Sequence, residues 1–347
     1  MDQNIDQDGI EPGQSWTIDR FRPEDAEGVT RLFISVYGHE YPIKKFIDPT
    51  LLIEENLSGH TLSSVARTTK GDIIGHTAIF RSAPSERIFE SGSGLVHRYY
   101  RGGHGIFTQM IIHGVDVARQ LGASGLIGES VCNHPFTQKL AKKIEHPPMA
   151  LEVDLMPAET YVKEKSSIGR VSALMHFKTI APRAHTVYLP NIFVEALRFM
   201  YAGLDDERDC RPAAQIYPPN GPTTIKSQVF EFAQVARLAV HQAGQDFPAA
   251  MQAREADLMA RGVIVIQVWL KLTWPWINWV VEELSRQGYF LGGILPRWFE
   301  DDGLLMQKRF GRPDWGNQVI LTDRSKEIRR LVKDDWARAQ GNFAQKI

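Results

Sequence analysis

The sequence Val96-His97-Arg98-Tyr99-Tyr100-Arg101-Gly102-Gly103-His104-Gly105-Ile106-Phe107 joins a β-rich segment to a helical one. Three glycines in four positions let successive backbone N–H groups turn to one side. The helix that follows adds roughly half a positive charge at its N-terminus, and Arg101 adds a full one. An anion of pyrophosphate size suits that arrangement. The same residues also suit a tight strand-to-helix turn whose glycines relieve crowding only.

Working outward, Ile88 to Val96 reads as a strand entering this loop. Phe107, Met110, Ile111, Val115, Ala118 and Leu121 recur at spacings of three and four, a helix that Gly122 closes. Upstream, Trp16 to Phe21 alternates as a strand, and Arg22-Pro23-Glu24-Asp25 opens a helix carrying Val29, Leu32, Phe33 and Val36. Tyr37-Gly38-His39-Glu40-Tyr41-Pro42 breaks that helix, and Asp48-Pro49 starts another that runs to Gly59. Leu62 to Thr69 and Ile73 to Phe80 form a hairpin across Lys70-Gly71-Asp72. Downstream come a strand at Leu126 to Val131, a helix at Phe136 to Ile144 and a strand at Met149 to Met156.

Lys163-Glu164-Lys165-Ser166-Ser167 reads as a linker. The second half is expected to hold strands at His185 to Leu189, Gln228 to Val240, Val263 to Leu272, Ile294 to Leu295 and Leu304 to Phe310. Its helices are expected at Phe193 to Gly203, Phe247 to Arg261, Trp274 to Gly288 and Asp323 to Gln340. Residues 1–14 lack apolar periodicity and read as a disordered tail.

At 347 residues the chain exceeds what one core supports, so two domains are expected, divided as 15–165 and 166–347. Hydrophobic residues at 43% and charged residues at 23% describe an ordinary globular composition. A formal charge of -1 supplies no field for a nucleic acid or an anionic membrane. The start is polar and acidic, without a signal-peptide pattern, and no run of ~18 apolar residues suggests a membrane span. Two cysteines, Cys132 and Cys210, make neither a disulfide framework nor a zinc knuckle. His76, His104 and His113 lack metal-ligand spacing. A cytoplasmic protein without a metal is expected.

The element order β, α, α, β, β, β, glycine loop, α, β, α, β over residues 15 to 157 resembles the GNAT superfamily of acyl-CoA-dependent N-acyltransferases. More narrowly, the chain is similar to a bacterial tandem group in which a degenerate GNAT-like half follows the first. That likeness rests on Tyr37 to Pro42, Glu90, His134-Pro135-Phe136-Thr137-Gln138-Lys139, Val187-Tyr188-Leu189-Pro190 and Gly288-Tyr289-Phe290-Leu291-Gly292-Gly293-Ile294-Leu295-Pro296. The resemblance implies an α/β (α+β) protein of two GNAT-like domains, each a mixed sheet flanked by helices. It implies one acyl-CoA site, since no arginine-led glycine turn recurs after Val171.

It further implies that acetyl-CoA or another acyl-CoA lies against Leu95, Val96, His97, Arg101, Gly102, Gly103, His104, Gly105, Ile106 and Phe107. The acceptor, an amine on a small molecule or a protein, would lie near Tyr37, His39, Glu40 and Tyr41. A homodimer is left open. RGGHGIF carries one residue more than the family's RGxGIF, and Ile144-Glu145-His146 replaces its usual leucine, glycine and phenylalanine. The tyrosine that serves many members as acid is replaced by Ala141 or a neighbour.

Amine acylation needs a base for the ammonium and a donor for the leaving thiolate. Glu90 and Glu129 are the candidate bases, each with the alternative of a paired strand carboxylate. His134 is the candidate donor, or a solvated first-turn histidine. Asn133 is read as bonding the pantetheine amide or as capping the next helix. Cys132 reads as a small buried thiol rather than a nucleophile, and Trp269, Trp274, Trp276, Trp279 and Trp298 as core packing or an interface rather than a surface for stacking bases. Two other functions stay open: a non-catalytic CoA or metabolite sensor, and an enzyme that cleaves or decarboxylates an acyl thioester.

Overall fold

The hairpin across Lys70-Gly71-Asp72 is the seed from which the first sheet is laid out. The computed structural model of the protein describes residues 9–39, 41–103, 105–157 and 169–344. The expected linker at 163–167, with Glu40, His104 and residues 1–8, lies outside them. The described chain is mixed α/β and divides into two compact units, one up to Gly128 and one from Glu129 onward.

In the first unit the strands are β1 (Trp16–Arg20), β2 (Thr61–Thr68), β3 (Ile73–Phe80) and β4 (Ile88–Val96), joined by β5 (Gly125–Val131), which crosses the unit boundary. They lie in sequential order. The first four pair antiparallel, and β5 runs parallel to β4. A parallel neighbour needs a crossover, which α3 (Ile106–Gln120) supplies. The helices α1 (Ala26–Tyr37) and α2 (Pro49–Leu57) precede β2. The Asp48 carboxylate accepts from the Thr50 and Leu51 amides and Pro49 takes the first helical position, so α2 starts where its sequence signals it.

Strand alternation sorts the apolar side chains into two cores. Val65, Ile73, Ala78 and Leu95 pack against Val29, Leu32 and Phe33 of α1 and Leu52 of α2. Their neighbours Ala66, Ile74 and Val96 pack instead against Ile106 and Met110 of α3. Residues 9–14, expected within a tail, are held by this second core. Ile10 packs on it, and the Tyr100 hydroxyl donates to the Glu11 carbonyl and accepts from the Gln14 amide.

The second unit contains α4 (Phe136–Lys143), β6 (Pro148–Pro157), β7 (Arg170–Thr179), β8 (His185–Leu189), α5 (Val194–Tyr201), β9 (Arg208–Pro212), β10 (Thr224–Phe230), β11 (Val235–Gln242), α6 (Phe247–Ala260), β12 (Val265–Lys271), α7 (Ile277–Arg286), β13 (Phe290–Phe299), β14 (Asp301–Arg309) and α8 (Asp323–Ala344). Its main sheet has the order β7-β6-β13-β14-β12-β11-β10, and β8 pairs with β9 separately. The one strand expected over Gln228 to Val240 is two antiparallel strands, β10 and β11. They are turned by Glu231–Ala233 and by Gln234 at φ +55°, a turn without the glycine or proline that sequence reading relies on. The two-residue strand expected at Ile294 is the ten-residue β13. Trp269 and Trp298 meet edge to face inside this unit, 5.1 Å between centroids.

The units divide at Gly128, whereas the sequence reading divides them after residue 165. Within the second unit, β6 pairs with β7 and touches β13 through Ala150 and Gly293. Among the described residues no helix is long and apolar enough to cross a membrane.

Two predictions follow from the packing. A fragment ending at Lys165 strips β7 and β13 from β6 and uncovers Met149, Ala150 and Leu151, all fully buried. It should aggregate in size-exclusion chromatography, and a soluble monomer would contradict the unit assignment. Burial holds His76, His146 and His176 at pKa values of about 4, below the ~6.5 of an unfolded histidine. The unfolded chain therefore binds more protons between those values. Urea unfolding should show stability falling as pH drops from 6.5 towards 4, with no loss from these residues between pH 7 and 8.

Candidate functional site

β4 carries one residue more than β3 can pair. Register runs from Gly75↔Val96 and His76↔Leu95 to Ala78↔Gly92, so two steps on β3 face three on β4. The extra residue makes a bulge, and Ser93 takes φ +51°. A left-handed non-glycine residue costs roughly 1–2 kcal/mol and needs outside support. The support comes from His76, a fully buried side chain whose Nδ1 lies 2.9 Å from the Ser93 carbonyl oxygen and whose Nε2 lies 2.9 Å from Ser63 Oγ. Burial keeps the ring neutral. The carbonyl requires Nδ1–H as donor, leaving Nε2 to accept from the Ser63 hydroxyl.

Pairing between β4 and β5 runs from Ile88↔Gly125 to Ser91↔Gly128, two residues before Ser93. Gly94 follows, and only glycine fits there, because a Cβ would meet Phe107 Cε2 at 2.4 Å. The bulged strand is thereby locked to the first turn of α3.

Beyond Val96 the chain makes a 3-10 turn, Arg98–Tyr100, and enters the glycine loop. Gly102, Gly103 and Gly105 have φ values of +72°, +100° and +71°. A Cβ on Gly102 or Gly103 would find nothing within 4 Å. Crowding does not explain these two glycines; left-handed backbone does, and their outer face is open. Gly105 is the N-cap of α3, and among the described residues no side chain caps this 15-residue helix. Its first-turn amides sit at an exposed, glycine-lined terminus, an arrangement that suits an anionic ligand. Arg101 is exposed and donates through Nε to the Val96 carbonyl at 2.8 Å, so its guanidinium leans over the turn.

The other expected cofactor residues divide by burial. Leu95, Val96, His97 and Ile106 point their side chains into the interior, leaving backbone groups to offer, whereas Phe107 is half-buried over Gly94. Glu90 stands opposite Phe80 in the register, on the side of the core that includes Tyr37 and Tyr41. Those tyrosines stack at 4.6 Å, and Phe33 links Tyr41 at 5.7 Å to His76 at 5.2 Å. His39 is exposed. Loop, bulge, Glu90 and tyrosine pair therefore belong to one unit.

Glu129, Cys132, Asn133 and His134 belong to the second unit. The Glu129 carboxylate is 3.2 Å from the guanidinium of Arg237, which also reaches Glu152 at 3.3 Å and Gln267 at 2.9 Å. Arg237 lies 108 positions away in sequence, which is why no local signal exposed the pair. Asn133 does not cap α4, whose N-cap is Pro135 without a side-chain bond. The His134 ring packs 5.3 Å from Phe136, and burial pushes the Cys132 thiol up to about 12, which suits a structural thiol. Among the described residues no three histidines, cysteines or carboxylates stand together as a metal set. His76 and Ser63 were missed because a histidine inside IIGHTAIF carries no motif.

No family model matches this sequence. No curated protein matches it either. Among solved structures it is similar to an N-acetyltransferase from Staphylococcus aureus, at 15% identity over 48% of this chain and 98% of that one, TM-score 0.40. It is similar to a ribosomal-protein-alanine N-acetyltransferase from Brucella melitensis at 16% identity, covering 47% and 99%, TM-score 0.39. A GNAT-family N-acetyltransferase from Escherichia coli in complex with CoA aligns at 21% identity over 34% and 64%, TM-score 0.28.

Gly94→Ala should push Phe107 out of the first turn of α3 and cost roughly 1–3 kcal/mol. Gly128→Ala, whose Cβ would sit 3.7 Å from its nearest neighbour, is the control. Thermal unfolding should separate the two, and equal midpoints would break the proposed lock.

Proposed function

We propose that the protein is an acyl-CoA-dependent N-acyltransferase whose cofactor pyrophosphate rests on the 101–107 loop. The observation that carries the reading is the open N-terminus of α3, without a side-chain cap among the described residues, set behind left-handed glycines in the connection that follows the bulged strand β4.

Acyl-CoA, when bound, supplies an activated thioester. Arg101 and the first-turn amides of α3 hold its phosphates, and the half-buried Phe107 walls the groove. The Gly94 N–H is the donor for the carbonyl oxygen as it gains charge. Glu90 takes a proton from the acceptor ammonium, directly or through water, and the amine nitrogen then attacks the carbonyl carbon as the C–S bond breaks. The departing thiolate takes up the proton that the acylated nitrogen sheds. Tyr37, His39 and Tyr41 frame the acceptor. Glu90 is the proposed base because it shares the first unit with the loop and the bulge. The ion pair of Glu129 with Arg237 is the feature that favours a CoA sensor as second reading, since it takes one carboxylate out of chemistry. The tandem arrangement, with the second unit as a degenerate GNAT half, is part of this proposal.

Titration calorimetry with acetyl-CoA should give one site per chain, weakened tenfold or more in Arg101→Glu, whose negative charge faces the phosphates. Thiol release with a panel of amines should detect turnover that falls ~10²- to 10⁴-fold in Glu90→Gln while acetyl-CoA affinity holds. The loss should shrink at high pH, where the amine is already deprotonated. Binding without turnover for any amine would establish the sensor, and no binding would end both readings.

A further inference from the structure

We infer that His76 is a positioning residue for the thioester carbonyl, acting through the Ser93 peptide it holds. The inference rests on the acyltransferase reading and adds to it a residue from the neighbouring strand.

The argument is geometric. No peptide bond among the described residues is cis. In a trans peptide the C=O and the following N–H point in opposite directions. The Ser93 carbonyl is turned to His76 Nδ1 at 2.9 Å, so the Gly94 N–H on the other end of that peptide is turned away from His76. Ser93 is left-handed, a conformation a serine does not keep by itself, so the direction of that N–H depends on what grips the carbonyl.

The grip is relayed. Ser63 Oγ is bonded to His76 Nε2 and accepts from Asn56 Nδ2 at 3.3 Å, while the Ser63 amide donates to Asn56 Oδ1 at 2.8 Å. The ring itself is boxed by Phe33 and Phe46, both edge to face, at 5.2 and 5.4 Å. The ring is neutral and walled by aromatic side chains, which restricts the orientations it can take. A histidine here solves two problems at once: it supports the left-handed bulge and it fixes the direction of the Gly94 N–H, three residues past the Ser91↔Gly128 pair of β4 and β5.

Three variants separate the two arms of the imidazole. His76→Asn keeps an N–H near Nδ1, His76→Gln places its amide near Nε2, and His76→Leu keeps neither. The readout besides activity is the infrared stretch of acetyl-CoA labelled with ¹³C at the thioester carbonyl, bound to each protein. A carbonyl accepting a hydrogen bond absorbs at lower frequency. The wild type and Asn variant should show the lowered stretch, and the Leu and Gln variants should show it relaxed towards its value in free acetyl-CoA. Alongside, kcat should fall about 10- to 100-fold in Leu and Gln with KM for acetyl-CoA changed less than about threefold, and recover in Asn.

If Leu fails to fold, the comparison of Asn with Gln decides the matter. Equal stretches in Asn and Gln, or a Leu variant that folds, binds and keeps the lowered stretch, would overturn the inference. A wild type that binds acetyl-CoA and lowers its stretch without acylating any amine would sink the acyltransferase reading and leave the role of His76 standing. A wild type that binds acetyl-CoA with an unshifted stretch would sink the role of His76 alone, and one that binds none would sink both.

Discussion

One extra residue in a strand organises the first unit. Because β4 cannot pair all of its residues with β3, it must bulge at Ser93, and the bulge reverses which face each later side chain takes. Glu90 and Gly92 stand with Phe80 on the α1 and α2 side; past Ser93, Gly94 meets Phe107 of α3. The contact between Gly94 and Phe107 fixes the start of α3, and the start of α3 sets the glycine loop. A buried neutral histidine, an unusual occupant of a strand reading Ile73, Ile74, Ala78, Ile79, is what stabilises the irregularity.

Much of this unit was legible from sequence because its elements carry local signals: glycine turns, a proline after an aspartate cap, helical spacing in α3. The loop was legible as either an anion cradle or a crowded turn, and the open space around Gly102 and Gly103 argues against crowding at those two positions. His76 was invisible to sequence because its role is a contact with a carbonyl 17 positions on, and a carbonyl carries no side-chain identity.

The second unit was less legible for a physical reason. Its sheet is built from strands distant in sequence, such as β6 beside β13, and its turn at Gln234 lacks glycine and proline. The charged network of Arg237, Glu129, Glu152 and Gln267 joins residues more than a hundred positions apart, with the guanidinium also over the rings of Phe230 and Trp269. Breaking one member would leave a buried charge uncompensated, so the network reads first as architecture. Glu129 was legible as a base or as a paired strand carboxylate, and its partner could not be named because Arg237 lies on a strand distant in sequence.

The central claim is that the N-terminus of α3 is a pyrophosphate site. A crystal structure of the protein with CoA tests it most directly. The account predicts pyrophosphate density within hydrogen-bonding distance of the first-turn amides of α3, with the Arg101 guanidinium beside it and the pantetheine arm running along β4 past Gly94. CoA bound elsewhere, with that helix terminus still uncapped and solvated, would contradict it.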